Sequence, residues 1–312
     1  MSQQVYQFSN TVIDKMKAYY ASFLITPPQG ALFRAKTNEA VITAYKSGKV
    51  LFQGASPEKA ASLWTKDAKT ASAQATYSNK VKTNSYTPSS QLFSSNHIGS
   101  DEAGTGDYFG PITVAAVYLT KAQISELKSM GVTDSKALTD LKIRHLARDI
   151  IQLNIPYSLI ALRNEKYNQL QKKGWTQGKM KTMLHHHAIQ RLIKKIDQSP
   201  LDGILIDQFC EPVVYKKHLA SEKEVLSPST FFMTKAESYS TSVAAASILA
   251  RTSFLKQMDI LSEQTGIELP KGASRKVDQT AAVIMKKYGE HCLTQIAKVH
   301  FANTKKAHAY LN

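Results

Sequence analysis

The order of short apolar segments from residue 97 onward constrains the fold of this chain more than any other sequence feature. Five segments have the composition of strands, at 97–101, 112–119, 155–162, 203–207 and 230–234. Segments with helical periodicity separate or follow them, at 122–130, 139–153, 178–196, 238–261 and 279–288. Strands that alternate with helices are typical of an α/β layered domain rather than a β-sandwich. We therefore expect one α/β domain over residues 95–312.

The first 68 residues are predicted to form a separate, smaller α+β domain. Its predicted elements are a helix over 9–20, strands over 31–36, 40–45 and 50–53, and a helix over 56–68. Ser9 and Ser56 are suitable N-cap residues for the two helices. Residues 69–94 are rich in Ser, Thr and Asn and lack sustained periodicity, so we interpret them as a linker.

The charge of the chain predicts an anionic partner. Lys and Arg number 40 against 24 Asp and Glu, a formal net charge of +16, and both parts of the chain share the excess. Nucleic acid is the leading candidate, with an acidic membrane surface, or a charge that serves solubility alone, as the alternatives. No apolar run approaches the roughly 18 residues of a membrane span, and the first ten residues do not resemble a signal peptide. The two cysteines are too few for a disulfide framework, so we expect a cytoplasmic protein.

A pair of acids stands where the first predicted strand of the large domain ends. Asp101 and Glu102 are followed by the turn Gly104-Thr105-Gly106. One interpretation is a turn in which Asp101 caps its own backbone. The other is a site for a hard cation, because carboxylates at strand ends supply the oxygen ligands that such ions prefer. Glycines would let the backbone approach a ligand closely.

Two further acids occupy similar positions. Asp207 closes the apolar segment 203–206, and Glu237 follows the segment 230–234. Singly, they could be a turn residue and a first-turn helix acid. If the three strands are neighbours, however, four carboxylates converge and repel one another unless cations neutralise them. Two divalent ions about 4 Å apart would suit hydrolysis of a phosphodiester.

Several motifs, in this order, resemble type 2 ribonucleases H over about residues 97–307. They are DEAGTG at 101–106, DSK at 134–136, Asp207 after an apolar run, KAE at 235–237 and VAAASILA at 243–250. Ribonuclease HII usually has Gly-Arg-Gly in place of Gly104-Thr105-Gly106, and Asp in place of Glu237. These two differences, the basic N-terminal domain and the segments 269–274 and 300–304 resemble ribonuclease HIII.

The resemblance implies a fold, an activity and a set of site residues. The implied fold is α/β, a ribonuclease H-like five-stranded mixed sheet flanked by helices, preceded by a small α+β domain that resembles half of the TATA-binding protein fold. The implied activity is hydrolysis of the RNA strand of RNA–DNA hybrids, leaving 5′-phosphate and 3′-hydroxyl ends. Asp101, Glu102, Asp207 and Glu237 match the acids that hold two Mg²⁺ or Mn²⁺ ions. Gly104, Thr105 and Gly106 match the loop that meets ribose 2′-hydroxyls, and Lys136 matches a lysine near the substrate phosphate.

In the N-terminal domain, the cations within or next to the predicted strands are the best candidates for phosphate contacts: Arg34, Lys36, Lys46 and Lys49. We expect this domain to hold the hybrid, and the chain to act as a monomer without a membrane or a required protein partner.

Two other functions stay open at this stage. One is excision of single ribonucleotides from DNA, as in ribonuclease HII; the tyrosine that would support it has no evident counterpart here. The other is hybrid binding without catalysis, which the four acids disfavour because a phosphate-binding protein would avoid them.

Three consecutive histidines resemble a metal-binding tract. Consecutive residues on a helix point about 100° apart. We therefore expect His185, His186 and His187 not to chelate one ion together and to serve packing or solvent-exposed roles.

Overall fold

The chain divides into two compact units, Met1–Lys82 and Thr83–Asn312, in a computed structural model. The structure describes residues 2–28, 30–54, 56–64, 86–133 and 138–311. Residues 69–85 of the predicted linker lie outside these ranges. Its end, Ser90–Ser94, is a short 3-10 helix.

The N-terminal unit is an antiparallel sheet with helices against one face. Its elements are β1 Ser2–Gln7, α1 Asn10–Tyr19, a 3-10 helix Ala21–Phe23, β2 Leu24–Ile25, β3 Ala31–Lys36, β4 Ala40–Tyr45, β5 Lys49–Gly54 and α2 Pro57–Ser62. The strand order is β1-β5-β4-β3-β2. One face of the sheet, with Phe33, Ile42 and Phe52, packs against Ile13 and Met16 of α1. The opposite face carries no helix among the described residues.

Two strands of this unit escape sequence analysis, so the predicted order of helix, three strands and helix is wrong. β1 is a polar segment, SQQVYQ, with little of the apolar alternation that identifies a strand. Pairing with β5 along its whole length makes it a strand. β2 has only two residues, too few for any pattern.

The C-terminal unit is built on the mixed five-stranded sheet that the family resemblance implies. Its strands are β6 His97–Ala103, β7 Ile112–Leu119, β8 Tyr157–Leu162, β9 Gly203–Asp207 and β10 Thr230–Met233, in the order β10-β9-β6-β7-β8. β10, β9 and β6 run parallel, whereas β7 is antiparallel to both β6 and β8. The three predicted strands that end in acids are therefore neighbours.

Helices surround this sheet. They are α3 Lys121–Ser129, α4 Asp140–Gln152, α5 Asn164–Lys172, α6 Gln177–Ile196, α7 Pro212–Ser221, α8 Thr241–Thr265, α9 Arg275–Tyr288, α10 Leu293–Ile296 and α11 Ala302–His308. Short 3-10 helices lie at Ala236–Ser238 and Glu290–Cys292. None of the described helices is long and apolar enough to cross a bilayer.

The alanine-rich start of α8 lies very close to the sheet. A Cβ added at Gly99 of β6 would be 2.2 Å from the backbone nitrogen of Val243, so only glycine permits this approach. Around it, Ala244, Ala245 and Ala246 are buried in a core shared with β7. The close contact fixes the position of β6, which carries the first pair of acids.

Candidate active site

Sheet topology brings the predicted acids to one edge of the C-terminal sheet. β6 and β9 are parallel, and Ser100 lies opposite Ile206 in their register. The next residues, Asp101 within β6 and Asp207 at the end of β9, therefore lie on neighbouring strands at the same edge. Glu237 lies in the 3-10 helix that follows β10, the strand on the other side of β9.

A backbone hydrogen bond ties the segment that carries Glu237 to Asp207. The amide of Ala236 donates to Oδ1 of Asp207 at 2.9 Å. Lys235, just before it, has a left-handed backbone with φ 57°. The predicted helix over 238–261 in fact begins at Thr241, because the side chain of Ser240 caps it. Glu237 is 3% exposed and belongs to this tight turn rather than to the first turn of α8.

Asp101 lies in a region of excess negative charge. It is buried, and its Oδ1 accepts a hydrogen bond from the amide of Glu102 at 2.7 Å. Burial, and then the charges of Glu102 and Asp207, raise the pKa of Asp101 well above its usual range, against an opposing hydrogen bond from Ser247. A bound cation would favour the ionised form of this carboxyl, so the position is suited to one.

Glu102, in contrast, is neutralised by α6. Lys181 Nζ donates to its Oε1 at 2.7 Å, and His185 Nε2 lies 2.9 Å from its Oε2. Burial opposes ionisation, but the hydrogen bond and charge of His185, together with Lys181, lower the pKa of Glu102 to about 2. Ser100 Oγ donates to the carbonyl of Ala115, so it accepts from His185 Nδ1 at 2.7 Å. Both ring nitrogens of His185 are therefore engaged, one with Ser100 and one with Glu102, which fixes the orientation of the ring.

The same face of α6 also contacts the glycine turn. Gln177 Nε2 donates to the carbonyl of Thr105 at 3.0 Å. Gln177, Lys181 and His185 are spaced by four residues, so they lie on one side of the helix. Sequence analysis missed Gln177 and Lys181 and gave His185 only a packing or solvent-exposed role, although this i, i+4, i+8 spacing of polar residues is a signal that could have found them.

The glycine turn has one glycine that the fold requires. Gly104 has φ +86°, and an added Cβ would be 2.2 Å from the carbonyl oxygen of Pro111. Gly106 is exposed and has open space where a Cβ would be. The turn therefore has a fixed start and an accessible end.

A buried lysine, also missed by sequence analysis, holds the residues after this turn. Lys298 Nζ donates to the carbonyls of Asp107 at 2.7 Å and Gly110 at 2.6 Å. Burial lowers its pKa to about 7, although the charge of Asp107 opposes the shift. Lys298 follows α10 and is far from the turn in sequence. No local sequence pattern therefore predicts its hydrogen bonds to Asp107 and Gly110.

Three of the four cations predicted in the N-terminal unit lie on the face of the sheet without helices. Arg34 and Lys36 of β3 alternate with the buried Phe33 and Ala35, so they project from the opposite face. Register across the sheet places Lys49 of β5 on the same face. Lys46 is exposed in the hairpin turn. Lys136 of the C-terminal unit lies outside the described residues.

The environment of His185 differs from the role expected from the sequence. His185 is fully buried and bonded to Glu102, rather than merely packed or solvent-exposed. His186 and His187 come together with Glu224, so that one ligand atom from each lies within 4.8 Å of the others. His185 is not a member of this group, so the expectation that the three histidines do not chelate one ion together stays a prediction.

The donor set of the acidic cluster fits hard divalent cations. It offers carboxylate oxygens, the ligands such ions prefer. When ionised, the four acids carry four negative charges, which divalent cations would offset. Within the described residues, no three of the acids place ligand atoms within 4.8 Å of one another.

Comparison with known proteins gives consistent matches over both units. Residues 98–304 match the family model described as Ribonuclease HII, and residues 3–77 match Domain of unknown function (DUF3378). Ribonuclease HIII of Oceanobacillus iheyensis is 60% identical over 315 residues, with 100% of both chains covered. Ribonuclease HIII of Bacillus licheniformis is 52% identical, with 98% of both chains covered.

Two solved structures also match this chain. The crystal structure of Bst-RNase HIII in complex with Mn²⁺ has a TM-score of 0.70 and 40% sequence identity, and the match covers 99% of each chain. The RNase H3 of Aquifex aeolicus has a TM-score of 0.54 at 22% identity, over 95% of this chain and 99% of its own, and so shares the fold.

Proposed function

The chain belongs to the ribonuclease HIII group of the type 2 ribonuclease H family, and on that premise we propose that Asp101, Glu102, Asp207 and Glu237 form its catalytic centre. The enzyme is an endoribonuclease that cleaves the RNA strand of RNA–DNA hybrids. One observation supports this centre most strongly: acids from β6, β9 and the segment after β10 converge at one edge of the sheet.

We propose Mg²⁺ or Mn²⁺ as the cofactor, with two ions held by these acids. Bound there, the ions would supply a nucleophilic water at neutral pH and stabilise negative charge on the leaving 3′-oxygen. Asp101 is the proposed shared ligand, because it lies between Glu102, the next residue of β6, and Asp207 of the neighbouring strand β9.

Residues of α6 prepare the cluster before substrate binds. Lys181 and His185 hold Glu102 ionised, so its carboxylate needs no deprotonation at neutral pH. Gln177 fixes the carbonyl of Thr105. The turn that includes Gly104 and Gly106 would then present its backbone to the ribose 2′-hydroxyl, the group that distinguishes RNA from DNA. Lys136, carried over from the family, would contact the substrate phosphate.

The N-terminal unit is proposed to bind the hybrid, in keeping with the predicted division into a substrate-binding domain over 1–68, a linker over 69–94 and a catalytic domain over 95–312. Its helix-free face carries Arg34, Lys36 and Lys49, with Lys46 in the adjacent turn. Contacts of such cations with phosphates supply affinity without sequence information.

A cytoplasmic location and a monomeric state stay predictions. Cys210 and Cys292 are both free thiols, which supports a reducing compartment.

A comparison of two substrates tests the proposed preference for continuous RNA–DNA hybrids. We expect efficient cleavage of a continuous RNA–DNA hybrid, releasing 5′-phosphate and 3′-hydroxyl ends, and much weaker cleavage of a DNA duplex with one embedded ribonucleotide. The physical reason is that several consecutive 2′-hydroxyls are available to the glycine turn only in a continuous RNA strand. Cleavage of both duplexes is followed at equal concentration, and the ends are identified by ligation. Equal or faster cleavage at the single ribonucleotide would favour the ribonuclease HII-like function instead.

A further inference from the structure

A second group of metal-ligand side chains lies on α6, turned away from the acidic cluster. His186 and His187 belong to this helix, and Glu224 belongs to the connection between α7 and β10. His186 Nε2 lies 3.1 Å from Glu224 Oε2, and the two imidazole centroids are 5.5 Å apart. One ligand atom from each side chain lies within 4.8 Å of the other two.

We propose that His186, His187 and Glu224 bind one transition-metal ion of the Zn²⁺ type, at a site separate from the catalytic acids. Two imidazole nitrogens and one carboxylate oxygen are a donor set that Zn²⁺ accepts, with the fourth position open to water. Mg²⁺ prefers oxygen ligands alone, so the two sites differ in the ions they select. The proposal does not depend on the function of the acidic cluster.

The surroundings of this group combine a fixed inner ligand with an accessible outer one. His186 is buried, His187 is exposed, and the side chain of Glu224 is 41% exposed. The backbone around Glu224 is also fixed: its amide donates to the carbonyl of Leu219 at 3.0 Å, and Lys223 adopts a left-handed conformation with φ 60°. An ion can therefore enter from solvent and meet partly ordered ligands, as a metal site requires.

One neighbouring charge opposes the ion. Arg191 is exposed one turn beyond His187 on the same face of α6. Its removal should therefore strengthen binding, which gives the proposal an electrostatic signature that a purely structural histidine pair would lack.

Calorimetric titration of Zn²⁺ tests the site directly. The full-length chain carries Asp101→Asn and no histidine tag, and excess Mg²⁺ is present to occupy the remaining acids. We expect one Zn²⁺ per chain. His187→Ala and Glu224→Gln should each weaken binding by at least about tenfold, because loss of even an outer-shell partner costs about 10–100-fold in metal affinity. Arg191→Gln should tighten binding.

A matched control removes a histidine that pairs with one carboxylate only. His308 Nε2 lies 3.4 Å from Glu290 Oε1, and His308→Ala should leave Zn²⁺ binding unchanged. His187 and Glu224 are accessible enough that their variants should keep the metal-free melting temperature, which is measured first. The proposal is overturned if the chain takes up no stoichiometric Zn²⁺. It is equally overturned if His187→Ala and Glu224→Gln bind as tightly as their parent, or if His308→Ala loses as much affinity as they do.

Discussion

Asp101→Asn should abolish cleavage of RNA–DNA hybrids while leaving the fold and hybrid binding nearly intact. Divalent ions contribute several kcal/mol of transition-state stabilisation, so we expect a loss of roughly 10³-fold or more in the cleavage rate at saturating Mg²⁺. The substitution keeps the shape of the side chain and removes one charge from a cluster of repelling carboxylates. Rates and hybrid affinities of both proteins are measured side by side.

The direction in which Asp101→Asn changes the stability of the metal-free chain can also be predicted. Burial and the neighbouring acids raise the pKa of Asp101 in the folded chain. Without metal, the folded chain therefore loses stability as the pH rises through this raised pKa, because a buried charge then forms. Asparagine has no charge to bury. The metal-free melting temperature of Asp101→Asn should therefore exceed that of the wild type, and the difference should widen as pH rises.

A second aspartate supplies the control for this experiment. Asp259 forms an exposed ion pair with Arg144 at 2.7 Å, away from the sheet edge that carries the acids. Asp259→Asn should cleave normally and show no such gain in melting temperature. Near-normal turnover by Asp101→Asn would contradict the assignment of the catalytic centre.

Neutralising the helix-free face of the N-terminal sheet should weaken hybrid binding without slowing cleavage at saturating substrate. The variant replaces Arg34, Lys36 and Lys49 with glutamine. Each lost phosphate contact reduces the slope of log affinity against log salt by about 0.7–0.9, so the full variant should lose roughly two to three units of slope. Affinity is measured by titration over a range of salt concentrations, and kcat is measured separately.

The helix-bearing side of the same unit offers a control of equal charge. Lys15 and Lys17 of α1 and Lys59 of α2 are exposed, and their replacement by glutamine also removes three positive charges. This control should keep the salt slope of the wild type. If both triple variants behave alike, the face has no specific role, and overall charge alone accounts for binding.

Much of the catalytic unit could be predicted because its elements follow simple periodic patterns. The apolar run ITVAAVYL at 112–119 matches β7 residue for residue, and the acids at the ends of β6 and β9 follow from where those runs stop. Parallel neighbours then bring Asp101 and Asp207 to one edge. Local sequence leaves the order of the strands open, and the structure shows that β6 and β9 are neighbours.

The remainder depends on contacts between residues distant in sequence. Lys181 and His185 act on Glu102 from about 80 residues away, and Lys298 reaches Gly110 from 188 residues away. β1 is a strand because β5 lies beside it, since its own residues are mainly polar. No local pattern contains such information, although the four-residue spacing along α6 marks a polar face.

The central claim, that the acidic cluster uses divalent ions to cut the RNA strand, is tested most directly by a hybrid with different labels on its RNA and DNA strands. The wild-type chain is incubated with Mg²⁺, with Mn²⁺, and with either metal plus excess chelator. We expect RNA cleavage with either ion, none with chelator, and an intact DNA strand throughout. Cleavage that persists in chelator, or cutting of the DNA strand, would contradict the account.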